Sequence, residues 1–312
     1  MNEIKKISFI VVAYNEEKNI ANCMSSILNQ RELKNSDFKI IVVNDGSMDK
    51  TADIVIDLSN NNKAIQLIDL KKNMGRGFAR HAGIEKANGD YIVFIDADIT
   101  IPENWLVKVR KNLEQYDAVG GIAIPDGDVT YICQKFNLKP KPIPHTTGIT
   151  GSNVIYKGEI LKKIKINPEI RDGEDTDLNW RLKEAGYKSK LLEDLIVTHR
   201  ENISFKKSLK RIFSFGIGAT KLFTMHKRVR LTDLIFFFFL LLLIINIILL
   251  IIENLFFLPL LIIYPVIVSF GHILHKFYIK KNKLISFILA GFINSFFIMS
   301  YFLGRIVGFI YK

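Results

Sequence analysis

From Ile7 to Asp98, short apolar runs alternate with stretches of helical spacing. Ile7-Ser-Phe-Ile-Val-Val-Ala13 predicts a buried strand closed by Tyr14-Asn15-Glu16. Ile20, Cys23, Met24, Ile27 and Leu28 then form a helical stripe between Glu17 and Gln30. Phe38–Val43 predicts a second strand, stopped by Asn44-Asp45-Gly46-Ser47, and Thr51–Leu58 a second helix. Ala64–Leu70 is a third, weaker strand, followed by a helix over Arg76–Ala87. Tyr91-Ile-Val-Phe-Ile95 is a fourth strand, running directly into Asp96-Ala-Asp98. Unbroken apolar runs of this length suit strands covered on both faces, and their alternation with helices predicts an α/β fold with a parallel sheet and right-handed crossovers.

The pattern changes at Ser204. Phe205, Leu209, Ile212 and Phe213 recur at helical spacing, with Lys206, Lys207, Lys210 and Arg211 opposite them, the profile of a basic helix lying on an anionic leaflet. Three apolar segments follow, 234–252, 255–273 and 284–310, each near the ~20 residues a spanning helix needs. Arg305, within the third, is expected at a headgroup boundary. The chain thus divides into a globular part (1–203), a basic juxtamembrane segment (204–232) and a membrane part (233–312) with two to three spans. Lys and Arg outnumber Asp and Glu by 43 to 31 in a chain that is 49% hydrophobic, which suits a membrane protein with a basic cytoplasmic face and not a nucleic-acid binder. Basic segments before the first span and between the second and third orient the globular part towards the cytoplasm, at the plasma membrane. Cys23 and Cys133 match no metal spacing and imply a reducing compartment.

In a parallel sheet, Tyr14-Asn15-Glu16, Asp45-Gly46-Ser47 and Asp96-Ala97-Asp98 emerge along one edge and line one crevice. Two carboxylates one residue apart repel each other, and a divalent cation relieves that repulsion. Asp98 is also placed to cap a helix starting near Pro102, and Asp126-Gly-Asp128 reads as a turn. Asn73-Met-Gly75-Arg76-Gly77-Phe-Ala79-Arg80 puts glycines and two guanidinium groups at a helix start, where an anion or close helix packing are both served. Gly148-Ile-Thr-Gly151-Ser152-Asn153 precedes a short strand, Val154–Tyr156. Arg171-Asp-Gly-Glu174-Asp175-Thr-Asp177 leads into a helix carrying Trp180 and Arg181, whose acids also suit the dipole of a first helical turn.

Taken in order, Val-Ala-Tyr14-Asn15-Glu16, Val-Asn-Asp45-Gly46-Ser47-Met-Asp49, Asn73-x-Gly75-x-Gly77-x-Ala-Arg80 and Asp96-Ala-Asp98 resemble the successive motifs of family 2 glycosyltransferases, from about Ile7 to about His199. Met48 and His81 depart from the usual Thr and Asn. The resemblance implies a glycosyltransferase-A fold, a Rossmann-like, mostly parallel sheet with helices on both faces. It further implies a UDP- or GDP-sugar donor held by Ala13, Tyr14, Glu16, Asp45, Gly75, Arg80 and Asp96, with Asp45 at the base and Arg80 near the diphosphate. By the same resemblance Asp98 and His199 would ligate Mg²⁺ or Mn²⁺, Asp175 would be the catalytic base, and Gly148, Gly151, Ser152, Asn153, Glu174, Trp180 and Arg181 would shape the acceptor and sugar pocket. The implied activity is inverting transfer to a membrane lipid or lipid-linked acceptor in glycan or glycoprotein biosynthesis. The alternatives are a polyprenyl-phosphate sugar synthase and, from another class, a nucleotide-sugar-binding scaffold or transport component.

Overall fold

The computed structural model describes residues 6–31, 33, 37–124, 128–142, 148–200, 204–253, 258–278 and 281–310. The chain forms two compact units, residues 1–124 with 142–201 and residues 125–141 with 202–312. The second therefore includes a segment that the sequence pattern assigned to the globular part.

The first unit is built on eight strands: β1 (Lys6–Ala13), β2 (Asp37–Asn44), β3 (Ile65–Asp69), β4 (Tyr91–Asp96), β5 (Ile99–Thr100), β6 (Ala118–Ile124), β7 (Asn153–Lys157) and β8 (Ser189–His199). They form one sheet in the order β3-β2-β1-β4-β7-β6-β8-β5. β1 to β4 are parallel, as the alternating pattern predicts. The unbroken apolar runs have a simple cause. Ile7, Phe9 and Val11 of β1 enter one core, and Ile10 and Val12 enter another on the opposite face. Helices α1 (Ile20–Leu28), α2 (Thr51–Asn61) and α4 (Trp105–Arg110) add Met24, Val55 and Trp105 to the first core. α3 (Arg76–Lys86), α6 (Gly158–Ile164) and α7 (Glu174–Glu184) add Ala79, Leu161 and Leu178 to the second.

Register sets the functional edge. Ala13 lies opposite Asn44, Val12 opposite Asp96 and Asn44 opposite Asp69, so the first strands end at one level. β7 departs from the parallel expectation and runs antiparallel to β4, with Asn153 opposite Ile95. Reversal brings the start of β7, not its end, to this edge, so the loop holding Gly148–Ser152 enters beside Asp96. β5 pairs antiparallel with β8, placing Ile99 opposite His199.

The second unit comprises α5 (Asp128–Phe136), α8 (Phe205–His226), α9 (Leu231–Glu253), α10 (Leu258–Lys276) and α11 (Leu284–Ile310). Among the described residues two helices are long and apolar enough to cross a membrane by length and composition, Leu231–Ile252 and Leu284–Ile310. The apolar stretch of α10, Leu261–Lys276, is shorter, and the expected start of that span at 255–257 lies outside the described residues. α8 was expected on a lipid surface, yet much of its apolar face packs on α11. A Cβ on Gly304 would lie 2.0 Å from the Phe213 carbonyl oxygen, and one on Gly216 would lie 2.3 Å from that of Tyr301. Small residues at such a crossing let backbones approach closely. Arg305, expected at a headgroup boundary, is wholly buried within the unit. Its guanidinium pairs with Asp233, donates to Thr220 Oγ1 at 3.3 Å and stacks 4.6 Å from the centre of Phe236. A buried partner satisfies the charge internally, which is why Arg305 need not reach water.

Candidate active site

Loops after β1, β2 and β3 are sewn together by short polar contacts. Asn15, at a left-handed φ of 57°, donates its N–H to Ser47 Oγ at 2.8 Å and accepts from Met48 N through Oδ1 at 2.8 Å. Glu16 N–H donates to Thr51 Oγ1 at 2.8 Å, and its carboxylate accepts from Asn19 at 2.7 Å. Ala13 is buried at the end of β1, while Tyr14 is 42% exposed. The Asp45 carboxylate accepts from the N–H groups of Met74 and Gly75 at 2.7 and 2.9 Å, tying the end of β2 to the glycine loop. Burial pushes its carboxyl up, partly countered by those two N–H groups. Gly75 has φ 94°, where L side chains are strained, and stands against the Arg171 side chain.

Five acidic side chains, Glu16, Asp96, Asp98, Glu174 and Asp175, stand after the ends of β1 and β4 and at the start of α7. The Cys23 thiol donates to the Asp96 carbonyl, and burial together with the negative potential of Asp98, Asp96 and Glu16 pushes its pKa up. Those three carboxylates therefore share one neighbourhood. Opposite them, Arg80 is buried at the centre of the site. Its guanidinium donates to Asp96 Oδ1 at 2.7 Å and pairs with Glu174, and it lies 5.5 Å from the centre of the Phe94 ring. Burial alone would lower its pKa, but Asp96 and Glu174 hold it above the ordinary arginine value. Glu174, itself buried at the first turn of α7, is pushed up to about 7 by burial, against the pull of Arg80 and Arg76. Next to it, Asp175 accepts from Gly151 N at 3.2 Å and from Thr176 N at 2.7 Å. A Cβ on Gly151 would lie 2.3 Å from Arg80 Nη1, so this glycine lets the loop close over the guanidinium. Contacts thus run from Asp96 through Arg80 to Glu174, with Asp98 two residues beyond one end and Asp175 the chain neighbour of the other.

Other expected site residues stand elsewhere. Asn153 has no exposure. It accepts from Trp105 Nε1 at 2.7 Å and donates to the Leu195 carbonyl at 3.1 Å, locking α4, β7 and β8 together. Arg181 pairs with Asp177 at 2.6 Å and donates to the carbonyls of Ile164 and Lys165, stapling α7 to the end of α6. Both were expected to line the acceptor pocket. Each is polar with several bonding atoms, and the fold uses those atoms for its own satisfaction. Trp180 and Ser152 are buried, and Gly148, at φ 126°, packs against Asn179. The side chain of His199 lies outside the described residues, but its backbone is adjacent to Ile99 and the next residue, Arg200, donates its N–H to the Asp98 carbonyl at 2.9 Å.

Sequence reasoning missed two participants. Tyr156 is wholly buried, its ring 5.3 Å from Phe94, and its hydroxyl has no hydrogen-bond partner among the described residues. Burial and then the nearby Asp175 push that hydroxyl up, so Tyr156 belongs to the surroundings of Asp175. Its apolar strand context hid it. Asp172 pairs with Arg76 at 2.9 Å and bridges α3 to the approach of α7. The motif spacing contained both residues without indicating that they meet.

Residues 8–165 match the model of glycosyl transferase family 2, half of the chain. The chain belongs to glycosyl transferase family 2. Among curated members, it is 37% identical over 126 residues to a dolichyl-phosphate beta-glucosyltransferase of Trichomonas vaginalis, covering 36% of this chain and 38% of that one. It is 31% identical over 122 residues to a poly-beta-1,6-N-acetyl-D-glucosamine synthase of Staphylococcus aureus, covering 39% and 29% respectively. This family 2 chain thus spans well under half the length of the curated relatives it matches. A solved mannosyltransferase from Pyrobaculum calidifontis, in complex with GDP-Man and Mn²⁺, superposes with a TM-score of 0.56 at 18% identity, over 72% of this chain and 64% of that one. That likeness, together with the sheet described above, establishes the glycosyltransferase-A fold for this family 2 member.

Proposed function

We propose that this protein transfers a sugar, with inversion, from a nucleotide-sugar donor to an acceptor held at the cytoplasmic face of a membrane. The observation that carries the reading is the Arg80 guanidinium, which holds Asp96 at the end of β4 to Glu174, the neighbour of Asp175 at the start of α7; this supports a donor-side acid and a helix-terminal base in one site. The donor lies across the loops of Tyr14–Glu16, Asp45 and Gly75. Asp175 is the base: its carboxylate takes the proton from the acceptor hydroxyl as that oxygen bonds to the anomeric carbon. The anomeric carbon–phosphate oxygen bond breaks at the same time, and the electron pair leaves on the nucleoside diphosphate. One base and direct displacement invert the anomeric centre. Helix α7 begins one residue before Asp175, and its dipole keeps the carboxylate ionised, as a base must be.

Mg²⁺ or Mn²⁺ suits Asp98 and His199, one carboxylate and one imidazole brought to adjacent backbone positions, and the negative potential felt by Cys23 favours a cation there. When bound, the ion supplies charge stabilisation to the leaving diphosphate. The mannosyltransferase complex with GDP-Man and Mn²⁺ is consistent with such a donor and ion. Among the described residues no group of three or more His, Cys, Asp or Glu side chains forms a cation site. Donor phosphates and solvent commonly complete such a shell. Arg80 positions the two halves of the site by holding Asp96 and Glu174 together, rather than only attracting the diphosphate.

For the acceptor, the dolichyl-phosphate transferase among the relatives favours a polyprenyl phosphate, and the polysaccharide synthase favours a glycan hydroxyl. Nucleoside diphosphate release across UDP- and GDP-sugars tests the reading, with polyprenyl phosphate, membrane-extracted lipid or a soluble sugar as acceptor. Release stimulated by a lipid acceptor supports it. Equal activity on a soluble sugar removes the membrane acceptor, and donor binding without release under every condition leaves a binding scaffold.

A further inference from the structure

Within the second unit, two lysine-rich segments far apart in sequence are joined backbone to backbone. Pro140 forms an antiparallel bridge with Phe277, Lys141 N–H donates to the Lys276 carbonyl at 2.7 Å, and Tyr278 N–H donates to the Lys139 carbonyl at 3.1 Å. Buried Leu138 and Phe277 anchor both segments in one apolar cluster. The junction sets the ammonium groups of Lys139 and Lys141 each 5.9 Å from the centre of one ring, that of Tyr278, which is 46% exposed. Lys276 belongs to the same junction.

This arrangement concentrates like charge with no acid in either segment to offset it. No Asp or Glu occurs between Asp128 and Glu159, and none follows Glu253. Like charges this close repel, and the repulsion persists wherever salt does not fully screen it. An anion from outside the chain would relieve it. The junction also stands at one end of two apolar helices, since α10 ends at Lys276 and α11 begins at Leu284. An exposed tyrosine flanked by lysines at such a position suits the headgroup level of a bilayer.

We infer that the junction of Lys139, Lys141, Lys276 and Tyr278 is a binding site for the phosphate of an anionic phospholipid headgroup. The inference rests on the membrane placement proposed above and is independent of the transfer chemistry.

The test uses the full chain purified in detergent, with lipid adducts counted by native mass spectrometry during titration with phosphatidylglycerol or phosphatidylcholine. In the triple variant Lys139→Gln, Lys141→Gln, Lys276→Gln, the apparent Kd for the first phosphatidylglycerol should rise on the order of 100-fold, with phosphatidylcholine unchanged. The matching Lys-to-Arg variant should bind as the wild type does. If the triple variant fails to fold, the exposed Lys139→Gln alone should still weaken phosphatidylglycerol about 5-fold. Unchanged phosphatidylglycerol binding, or equal loss of both lipids, would overturn the site. Inorganic phosphate competing at the lipid's own concentration would make it a free-anion site and overturn the lipid assignment. Wild-type protein that binds neither lipid would remove the membrane placement, while nucleoside diphosphate release would still decide the catalytic reading separately.

Discussion

Among the described residues each unit of this protein buries one arginine, and the two are treated differently. Arg80, in the first unit, faces two carboxylates, with Asp98 and Asp175 close by. Arg305, in the second, faces a single carboxylate, Asp233, which is also bound by Arg230, and the cluster is closed by Thr220 and the Phe236 ring. The first network has more acid than base, and the second more base than acid. The difference extends to the units themselves. Residues 1–124 and 142–201 carry 26 Lys and Arg against 27 Asp and Glu, whereas residues 125–141 and 202–312 carry 17 against 4. The apolar, helical unit therefore carries a formal +13 and the other −1, which together make the net charge of +12. A nearly neutral unit with a local surplus of acid suits a site that receives a cation and a sugar diphosphate. A basic unit with few acids suits a surface that meets anionic lipid.

The sharpest way to break this comparison is to remove the base. Asp175→Asn should lower turnover by on the order of 10³-fold while leaving donor affinity nearly unchanged. Nucleoside diphosphate release and donor-binding calorimetry check the two halves of that statement, and lost donor binding would move Asp175 out of its role. The arginines come next. Arg80→Met leaves Asp96 and Glu174 together in a low-dielectric setting and Arg305→Met leaves Asp233 partly unpaired, so each should destabilise the chain by about 3–5 kcal/mol. Only Arg80→Met should also weaken donor binding, and equal effects on donor binding would mean that the two networks are not functionally distinct.

Much of the first unit was legible because a parallel sheet buried on both faces leaves a strong local signal. β1, β2 and β4 begin and end within a residue or two of their expected limits. The site was legible as a set of motifs but not as a set of contacts. Nothing in the spacing of Arg80, Asp96 and Glu174 indicates that one guanidinium holds both acids, because the pairing depends on α3 and α7 packing on the same sheet face. Asn153 and Arg181 stand in the right motifs, yet their bonding atoms serve internal contacts that only the strand reversal at β7 and the turn after α6 create. The excursion of residues 125–141 into the second unit left no signal either, since α5 is short and its partners lie far along the chain.

A smaller effect comes from protons. Glu174 has a folded pKa near 7 against an ordinary value of 4.5, so the folded chain holds an extra proton between those limits. Its contribution to stability is complete below about 4.5 and is lost as pH rises through 7. In Glu174→Gln that loss disappears. The stability of the wild type relative to this variant should therefore fall by ~3 kcal/mol between pH 4.5 and 8, read from denaturant midpoints across pH. A difference that grows in the opposite direction would mean that Arg80 dominates burial and that Glu174 is ionised throughout.

The mildest test compares two glycines in the helical unit. Gly304 stands where α11 meets the backbone of α8, and an added Cβ would overlap the Phe213 carbonyl, which cannot rotate away. Gly271, in α10, has no atom of the described residues within 4 Å of the same added carbon. Gly304→Ala should force the helices apart and destabilise the unit by about 1–3 kcal/mol. Gly271→Ala should be neutral or stabilising by up to about 1 kcal/mol, because alanine restricts the unfolded backbone and favours the helix. Thermal unfolding in detergent reads both. Two substitutions of identical chemistry with opposite signs would establish that α8 is held by α11 through close backbone contact. Equal small effects would instead return α8 to the lipid surface on which its lysine-lined, amphipathic sequence first placed it.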